Sequence, residues 1–240
     1  GFAKYSLVAP YGMPRSDTYL AAALLPATDG GKTEAPSLFI LNTDGGILEK
    51  VFAIPTSPES PTWTSPPFAW RPGWKVSPDA SLIGSFFVVS DSVARVTVLE
   101  LRGDTLLDRA YTLPARPIPR AAVDSALAAV VNGPLASIRP LSESDVASLR
   151  RAVPSSFPPV ERIVLGSDST VWLRVQGSVS GANEWMVLRP TGEPMKRVRF
   201  PRSSVLAAAT DSVAWVVRSD EFDRESLVIF DVSGSPKAGG

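Results

Sequence analysis

The fold is decided by the stretch Ser37-Leu38-Phe39-Ile40-Leu41, Asp44-Gly45-Gly46, Val51-Phe52-Ala53-Ile54-Pro55, a hairpin pattern that occurs three times. In each copy a β-branched and aromatic run meets a Gly turn, a second run returns, and a proline ends it. Gly accepts a positive φ at such a turn without steric cost, and proline has no N–H to give to a strand ladder. The other two copies are Val96–Leu99, Arg102–Asp104 and Ala110–Pro114, then Trp185–Leu188, Thr191–Glu193 and Val198–Pro201. Three copies predict a repeat architecture.

A second repeated signal is a polar turn led by aspartate in front of an apolar strand. It occurs with Asp79, Asp168 and Asp211. Asp and Ser side chains at such turns bond to neighbouring backbone N–H groups and fix the bend. We interpret these aspartates as turn formers rather than functional groups, because they recur in register with the fold. Together the two signals define a four-stranded antiparallel unit of about 40 to 60 residues, the size of a propeller blade.

The sequence therefore predicts an all-β fold: a β-propeller-like array of about four four-stranded blades, in a single domain over residues 1–240. A helical insertion is expected at about residues 117–159. Pro119–Gly133 has the pattern of a helix, with proline in its first turn and an Asn-Gly stop. A second helix starts at the capping-box sequence Ser142–Asp145 and places Leu149 inward.

The last unit, Val205–Val232, supplies only three strands. A propeller must close its ring, because an unpaired strand edge invites aggregation. Three arrangements are open: the N-terminal strand Ala3–Ala9 supplies the fourth strand, blades upstream of Gly1 have been lost, or the sheets stay open. Because the chain begins at Gly1 rather than Met, we expect that a segment upstream has been removed.

The composition excludes several function classes. The chain has no cysteine and no histidine, which removes thiol nucleophiles, disulfides, Cys or His zinc ligands and Ser-His-Asp triads. Its net charge is zero, which argues against a nucleic-acid binder that works by neutralising phosphates. No run approaches the roughly 18 apolar residues of a membrane helix. We expect no cofactor, no nucleic-acid partner and no transmembrane segment.

Residues 56–74 are rich in proline and tryptophan and form the first candidate contact surface. So many prolines exclude an interior strand and pre-order a loop, and aromatic residues and arginine are enriched in interface cores. The partner-contact candidates are Trp63, Phe68, Trp70, Arg71 and Trp74. The alternative is that these tryptophans fill the space between blades, as we expect of Trp172, Trp185 and Trp215. The helical insertion is the second candidate surface, and its alternative is a cap packed on the ring.

Two groups of carboxylates are candidates for site chemistry. The acidic residues Asp220, Glu221, Asp223 and Glu225 are metal candidates, because Ca²⁺ takes carboxylate oxygens. Their spacing is not that of an EF-hand, so we favour a solvated loop between two strands and assign no metal. Glu161, Asp168 and Glu184 are acid–base candidates if two of them converge, but their spacing is not diagnostic.

Four segments together resemble a known family: Trp74–Asp79, Ile118–Ala126, Phe157–Arg174 and Asp220–Phe230. They are similar to the exported bacterial six-bladed β-propellers of the NHL- or TolB-like group. The resemblance covers about residues 70–232. It implies a propeller fold and export, and therefore a periplasmic or otherwise extracytoplasmic location. It implies no established reaction and transfers no catalytic residues.

Our leading hypothesis is a non-catalytic extracytoplasmic propeller that serves as a protein–protein interaction or scaffold module. Its expected partner is a protein, such as a membrane-bound complex of which this chain is an accessory subunit. The alternative is a ligand-binding or hydrolytic propeller that uses carboxylates, with or without Ca²⁺. Propellers host many unrelated functions, so the fold alone does not choose between them.

Overall fold

Four antiparallel sheets follow one another along the chain in the computed structural model, which describes residues 7–15, 17–24, 36–56, 65–133, 140–175 and 182–233. In every sheet the spatial order of the strands is their order in the sequence. The first three sheets have four strands each, and the fourth has three. This up-and-down order is that of propeller blades, so we number the sheets as blades 1 to 4.

The strands have the following bounds. Blade 1 is β1 (Leu7–Arg15), β2 (Thr18–Leu24), β3 (Ser37–Asn42) and β4 (Ile47–Ala53), and blade 2 is β5 (Gly73–Val76), β6 (Leu82–Ser90), β7 (Val93–Glu100) and β8 (Thr105–Thr112). Blade 3 is β9 (Val160–Leu165), β10 (Val171–Val175), β11 (Ala182–Leu188) and β12 (Pro194–Pro201), and blade 4 is β13 (Ser204–Ala209), β14 (Val213–Ser219) and β15 (Glu225–Asp231). The first strands of blades 2, 3 and 4 are neighbours, since β9 contacts both β5 and β13. The predicted array of about four blades is confirmed.

The three predicted hairpins are present and share one turn geometry. Gly45, Gly103 and Gly192 all have positive φ, at 81°, 95° and 88°. Each donates its N–H to the carbonyl three residues earlier, over 3.0, 2.9 and 2.9 Å. A side chain at this φ would be strained, which explains why glycine recurs at this position.

Apolar side chains are buried between consecutive blades. Leu20, Leu38 and Ile83 lie between blades 1 and 2, and Phe86, Val96, Leu165 and Leu173 lie between blades 2 and 3. Trp172 and Trp185 are 0% and 2% exposed between blades 3 and 4, as expected. Trp215 differs: it alternates along β14 with the buried Ala214 and Val216, so its half-buried ring faces away from blade 3.

The aspartate turns fix local bends, and one of them also links two neighbouring blades. Asp79 accepts hydrogen bonds from the Ser77 hydroxyl (2.6 Å) and the Ser81 N–H (3.2 Å), as a turn former does. Asp168 accepts from Thr170 in the same way, and its second oxygen accepts the Asp211 N–H of blade 4 at 2.5 Å. In the blade 4 turn the Thr210 hydroxyl, rather than the Asp211 carboxylate, accepts the N–H groups of the turn.

Both predicted helices are present. Helix α1 spans Arg120–Val131 and ends at Asn132, and helix α2 spans Glu143–Ala152 with a full capping box from Ser142. Leu127 and Leu149 are their buried residues. No helix within the described ranges is long and apolar enough to cross a bilayer.

The N-terminal strand differs from the prediction. We expected a strand at Ala3–Ala9 followed by a turn, but β1 continues through Pro10 and Pro14 to Arg15 and pairs with β2. Proline is tolerated there because β1 is the edge strand of its sheet and has a ladder on one side only. Its described part is therefore the first strand of blade 1 and not the fourth strand of blade 4.

Candidate partner-contact surface

The connections between blades all emerge at one end of the array. The strands alternate in direction, so the β4–β5 connection, the helical insertion and the β12–β13 turn lie at the same end, which we call the insertion end. The aspartate turns and the glycine hairpins lie at the other end, the turn end. This separates the two candidate contact surfaces from the repeated turn chemistry.

Residues 65–72, before β5, form a tight aromatic segment at the insertion end. The Ala69 N–H donates to the Pro66 carbonyl at 3.3 Å, which closes a turn around Phe68. Phe68 has a φ of 59°, a conformation that a bulky aromatic residue rarely adopts and that costs about 1–3 kcal/mol. Phe68 and Trp70 are half-buried, whereas Arg71 is exposed. The prolines therefore hold a strained loop that presents aromatic and cationic groups.

This segment packs on the base of the helical insertion. The Trp70 indole N–H donates to the Ser156 carbonyl at 3.1 Å, and the Phe68 ring meets the Phe157 ring edge-to-face with centroids 5.2 Å apart. The insertion is closed at its base by a bridge between Pro117 and Ser156. The two candidate surfaces of the sequence analysis are thus one composite surface, which we call the Trp70 surface: residues 65–72 with residues 154–161.

A small cavity opens within the Trp70 surface. Its volume is about 210 Å³, and it is lined by Phe68, Ala69, Arg71, Pro158, Val160 and Glu161. Four of these residues are apolar, and the arginine and the glutamate supply opposite charges. The site therefore combines a hydrophobic floor with two polar groups that can orient a bound chain.

The Glu161 side of the cavity is braced by a network across blade 3. The Arg174 guanidinium lies 3.2 Å from the Glu161 carboxylate and donates to the Asn183 side-chain oxygen at 2.8 Å. The Asn183 amide then donates to the Ser204 carbonyl of blade 4 at 2.7 Å. Because each member has a partner, the position of Glu161 is fixed by blades 3 and 4 together.

The other partner-contact candidates lie elsewhere. Trp74 belongs to β5 and packs with the core between blades 1 and 2, with its ring 4.9 Å from that of Tyr11. Burial raises the pKa of the Tyr11 hydroxyl. Trp63 lies outside the described residues. Within the described chain, Phe68, Trp70 and Arg71 are the candidates that meet at one place.

Three of the acidic metal candidates lie in the turn between β14 and β15, and the fourth, Glu225, begins β15. The Asp220 carboxylate accepts the N–H groups of Phe222 (2.8 Å) and Arg224 (3.0 Å), and it forms an ion pair with the Arg224 guanidinium. These hydrogen bonds, that of the Arg224 side chain foremost, hold the pKa of Asp220 below its usual value. In the described ranges no group of three acidic side chains is placed to hold a metal ion.

The three acid–base candidates do not meet at one place, because Asp168 is separated from the other two. Asp168 lies at the turn end, whereas Glu161 and Glu184 lie at the insertion end and each pairs with arginine. Glu184 is 4% exposed, and its carboxylate contacts Arg197 at 2.5 Å and Arg199 at 3.3 Å. Burial acts to raise the pKa of Glu184, but the two arginines outweigh it and hold the pKa below its ordinary value. Glu184 is therefore a buried, ionised anchor for β12.

Sequence reasoning missed the residues that join the two surfaces. Ser156 contributes a backbone carbonyl, for which a sequence carries no signal. Phe157 lies in a proline-rich stretch, and its aromatic side chain was the one sequence feature that pointed to a contact there. The pairing of Glu184 with Arg199 follows from the hairpin register around Gly192, so that ion pair could have been predicted from the sequence.

No protein-family model and no curated protein matches the chain. The resemblance to exported propellers of the NHL- or TolB-like group, and the export it implies, therefore remain predictions.

Several solved structures are similar to the chain at low identity. The β-propeller domain of the Trilobed protease from Pyrococcus furiosus shares 12% identity over 98% of this chain and 57% of its own, with a TM-score of 0.44. An uncharacterized protein from Listeria monocytogenes shares 13% over 97% of this chain and 52% of its own, with a TM-score of 0.47. The acylaminoacyl peptidase of Pyrococcus horikoshii shares 11% identity over 97% of this chain and 32% of its own, with a TM-score of 0.42. The chain thus spans at most 57% of these proteins. The blade assignment rests on the strand order and register above.

Proposed function

We propose that this chain is a non-catalytic propeller module that binds a protein partner through the Trp70 surface. The observation that carries the proposal is the convergence of residues 65–72 with the base of the insertion, around a cavity of about 210 Å³ that holds Arg71 and Glu161. Half-buried aromatic residues beside an exposed arginine are the composition of an interface core.

The surface is also pre-ordered, which favours binding. Pro66 and Pro67 restrict the loop before Phe68, and the Trp70–Ser156 hydrogen bond ties the loop to the insertion. A partner that docks on a loop already held in one conformation loses less conformational entropy on binding. The strained φ of Phe68 supports the same proposal, because such strain collects at binding sites.

The carboxylates support this choice over hydrolysis. Acid–base catalysis needs two groups within reach of one substrate, and Asp168 lies at the opposite end from Glu161 and Glu184. Both of these glutamates are engaged by arginine. We therefore propose a binding role in which Glu161 and Arg71 orient the partner. Export and docking on a membrane-bound complex are part of the proposal.

The test is purification of the native protein from membranes in a gentle detergent, followed by native mass measurement. We expect co-purification at a fixed stoichiometry, lost in Arg71→Glu. The matched control is Arg102→Glu, which makes the same charge change at the exposed β7–β8 turn of the turn end and should retain the partner. A free monomer in the soluble extract, or equal retention by the two variants, would contradict the proposal.

A further inference from the structure

The outer edge of blade 4 has the geometry of a strand-docking site. Blades 1 to 3 each carry a fourth strand outside the third, whereas no strand lies beyond β15 among the residues that the structure describes. Within the described part of the chain, the position that β4, β8 and β12 fill in their own blades has no counterpart in blade 4.

The hydrogen-bonding groups on this edge can be assigned from the register. The Val232 N–H donates to the Ser212 carbonyl at 2.7 Å, and the Asp220 N–H donates to the Arg224 carbonyl at 3.1 Å. Between these two points β14 and β15 pair without a register shift. Hydrogen-bonded and non-bonded pairs alternate in an antiparallel ladder. The N–H and C=O groups that point to the open edge are therefore those of Glu225, Leu227, Ile229 and Asp231.

The side chains of the same four residues share one face. Leu227 and Ile229 are 62% and 63% exposed, while their neighbour Phe230 is turned to blade 3 and packs on Phe200. Glu225 and Asp231 are exposed at the two ends of the row. Along this edge the side chains at alternate positions are therefore acidic, apolar, apolar and acidic.

This charge pattern indicates which kind of strand the β15 edge binds. A second copy of β15, paired antiparallel, would set Glu225 against Asp231 at both ends, and like charges directly opposite are unfavourable. We propose that the edge of β15 binds an extended segment of a partner protein with Lys or Arg flanking two apolar residues at alternate positions. Main-chain hydrogen bonds would supply affinity, and the two charged ends would supply register and specificity.

The outer strand of blade 3 shows what such a segment resembles. β12 carries Lys196 and Arg199 with Met195, Val198 and Phe200 packed on the neighbouring core. It pairs with β11, and its Arg199 lies opposite Glu184. A basic and apolar strand beside an acidic residue is thus already used once in this array. The proposal is independent of the Trp70 surface, which lies on other blades.

The experiment measures binding of a fluorescent seven-residue peptide, Lys-Thr-Val-Thr-Ile-Thr-Lys with blocked ends, to the intact chain by anisotropy. We expect saturable binding that weakens about tenfold when both lysines become glutamate, because two attractive pairs become repulsive. N-methylation at one alternating set of peptide positions should abolish binding, whereas methylation at the other set should not.

Variants of the protein locate the site. Leu227→Ser with Ile229→Ser should weaken binding at least tenfold, and Val205→Ser, an exposed change on β13 of the same sheet, should leave it unchanged. Arg71→Glu should also leave it unchanged, so the failure of this proposal is distinguishable from that of the Trp70 surface. Absence of binding at about 1 mM peptide, or indifference to charge reversal, would overturn the proposal. So would dimerisation through β15, or binding that arises only after residues 1–6 are removed.

Discussion

Replacing Gly192 by alanine tests whether blades 2 and 3 pack as described. Gly192 has a φ of 88°, and an added Cβ would lie 2.5 Å from the Leu107 Cδ1 and 2.9 Å from the Tyr111 hydroxyl. Both contacts belong to β8 of the neighbouring blade. The Tyr111 hydroxyl also donates to the Gly192 carbonyl at 2.7 Å, so a shift of the turn would strain this buried hydrogen bond.

Gly103 provides a matched control. It occupies the same position in the blade 2 hairpin, with a φ of 95°, but an added Cβ would meet nothing within 4 Å. Gly103→Ala should therefore show the backbone cost alone: about 1–2 kcal/mol for the left-handed conformation, reduced by about 0.4–1 kcal/mol through the stiffer unfolded chain.

Gly192→Ala carries the same backbone cost and adds overpacking, which is about 1–3 kcal/mol in a well-packed interior. We expect it to lower the free energy of unfolding by about 2–4 kcal/mol, against about 1 kcal/mol for Gly103→Ala. Urea denaturation followed by tryptophan fluorescence measures both, since Trp172 and Trp185 are buried in blade 3. Equal costs for the two variants would refute the packing of the blade 3 hairpin on β8.

Three further perturbations follow from single contacts. Phe68→Gly should be about 1 kcal/mol more stable than Phe68→Ala in urea denaturation, because glycine accepts the φ of 59°; the reverse order would contradict the left-handed loop. Glu184→Gln should lower the free energy of unfolding by about 2 kcal/mol at pH 7. Because the pKa of Glu184 is lowered in the folded protein, the difference in unfolding free energy between variant and parent should shrink as the pH falls below about 4. A difference that does not change with pH would refute the ionised anchor. Asp168→Ala should destabilise the chain by about 1 kcal/mol more than Asp79→Ala, since Asp168 alone of the two accepts a hydrogen bond from the next blade; equal losses by thermal unfolding would count against that link.

The hairpins, the helices and the Asp79 turn were predictable because their chemistry is local. A glycine at positive φ, an aspartate two residues before the N–H that it accepts, and a serine that caps a helix all act within a few residues. The capping box of Ser142 and Asp145 is such a case, and it forms as the sequence predicts. The strand order then followed from repetition of these local units.

The N-terminal strand and the composite surface were not predictable in the same way. Pro10 and Pro14 indicate a turn locally, and only the edge position of β1 makes them compatible with a strand. The Trp70–Ser156 hydrogen bond joins residues 86 positions apart and uses a backbone carbonyl, so no spacing rule points to it. Such contacts depend on how the blades stack, which is a property of the whole array.

The division between the two ends of the array explains where function is expected. At the turn end the same short turns recur, and Asp168 links two of them. The residues at that end therefore serve to stabilise the fold. The insertion end carries long connections that a blade does not require, and they meet at Phe68, Trp70 and Arg71. Blade 3 holds that surface in place and supplies Val160 and Glu161 of its cavity from the start of β9. The β15 edge stands apart from both ends, because its exposed groups belong to the repeat itself, and among the described residues no strand pairs with its outer side. A partner bound there would extend the sheet of blade 4, whereas a partner on the Trp70 surface would contact the loop before β5 and the start of β9. The two contacts can therefore be occupied together, and each can be removed by substitutions that leave the other intact.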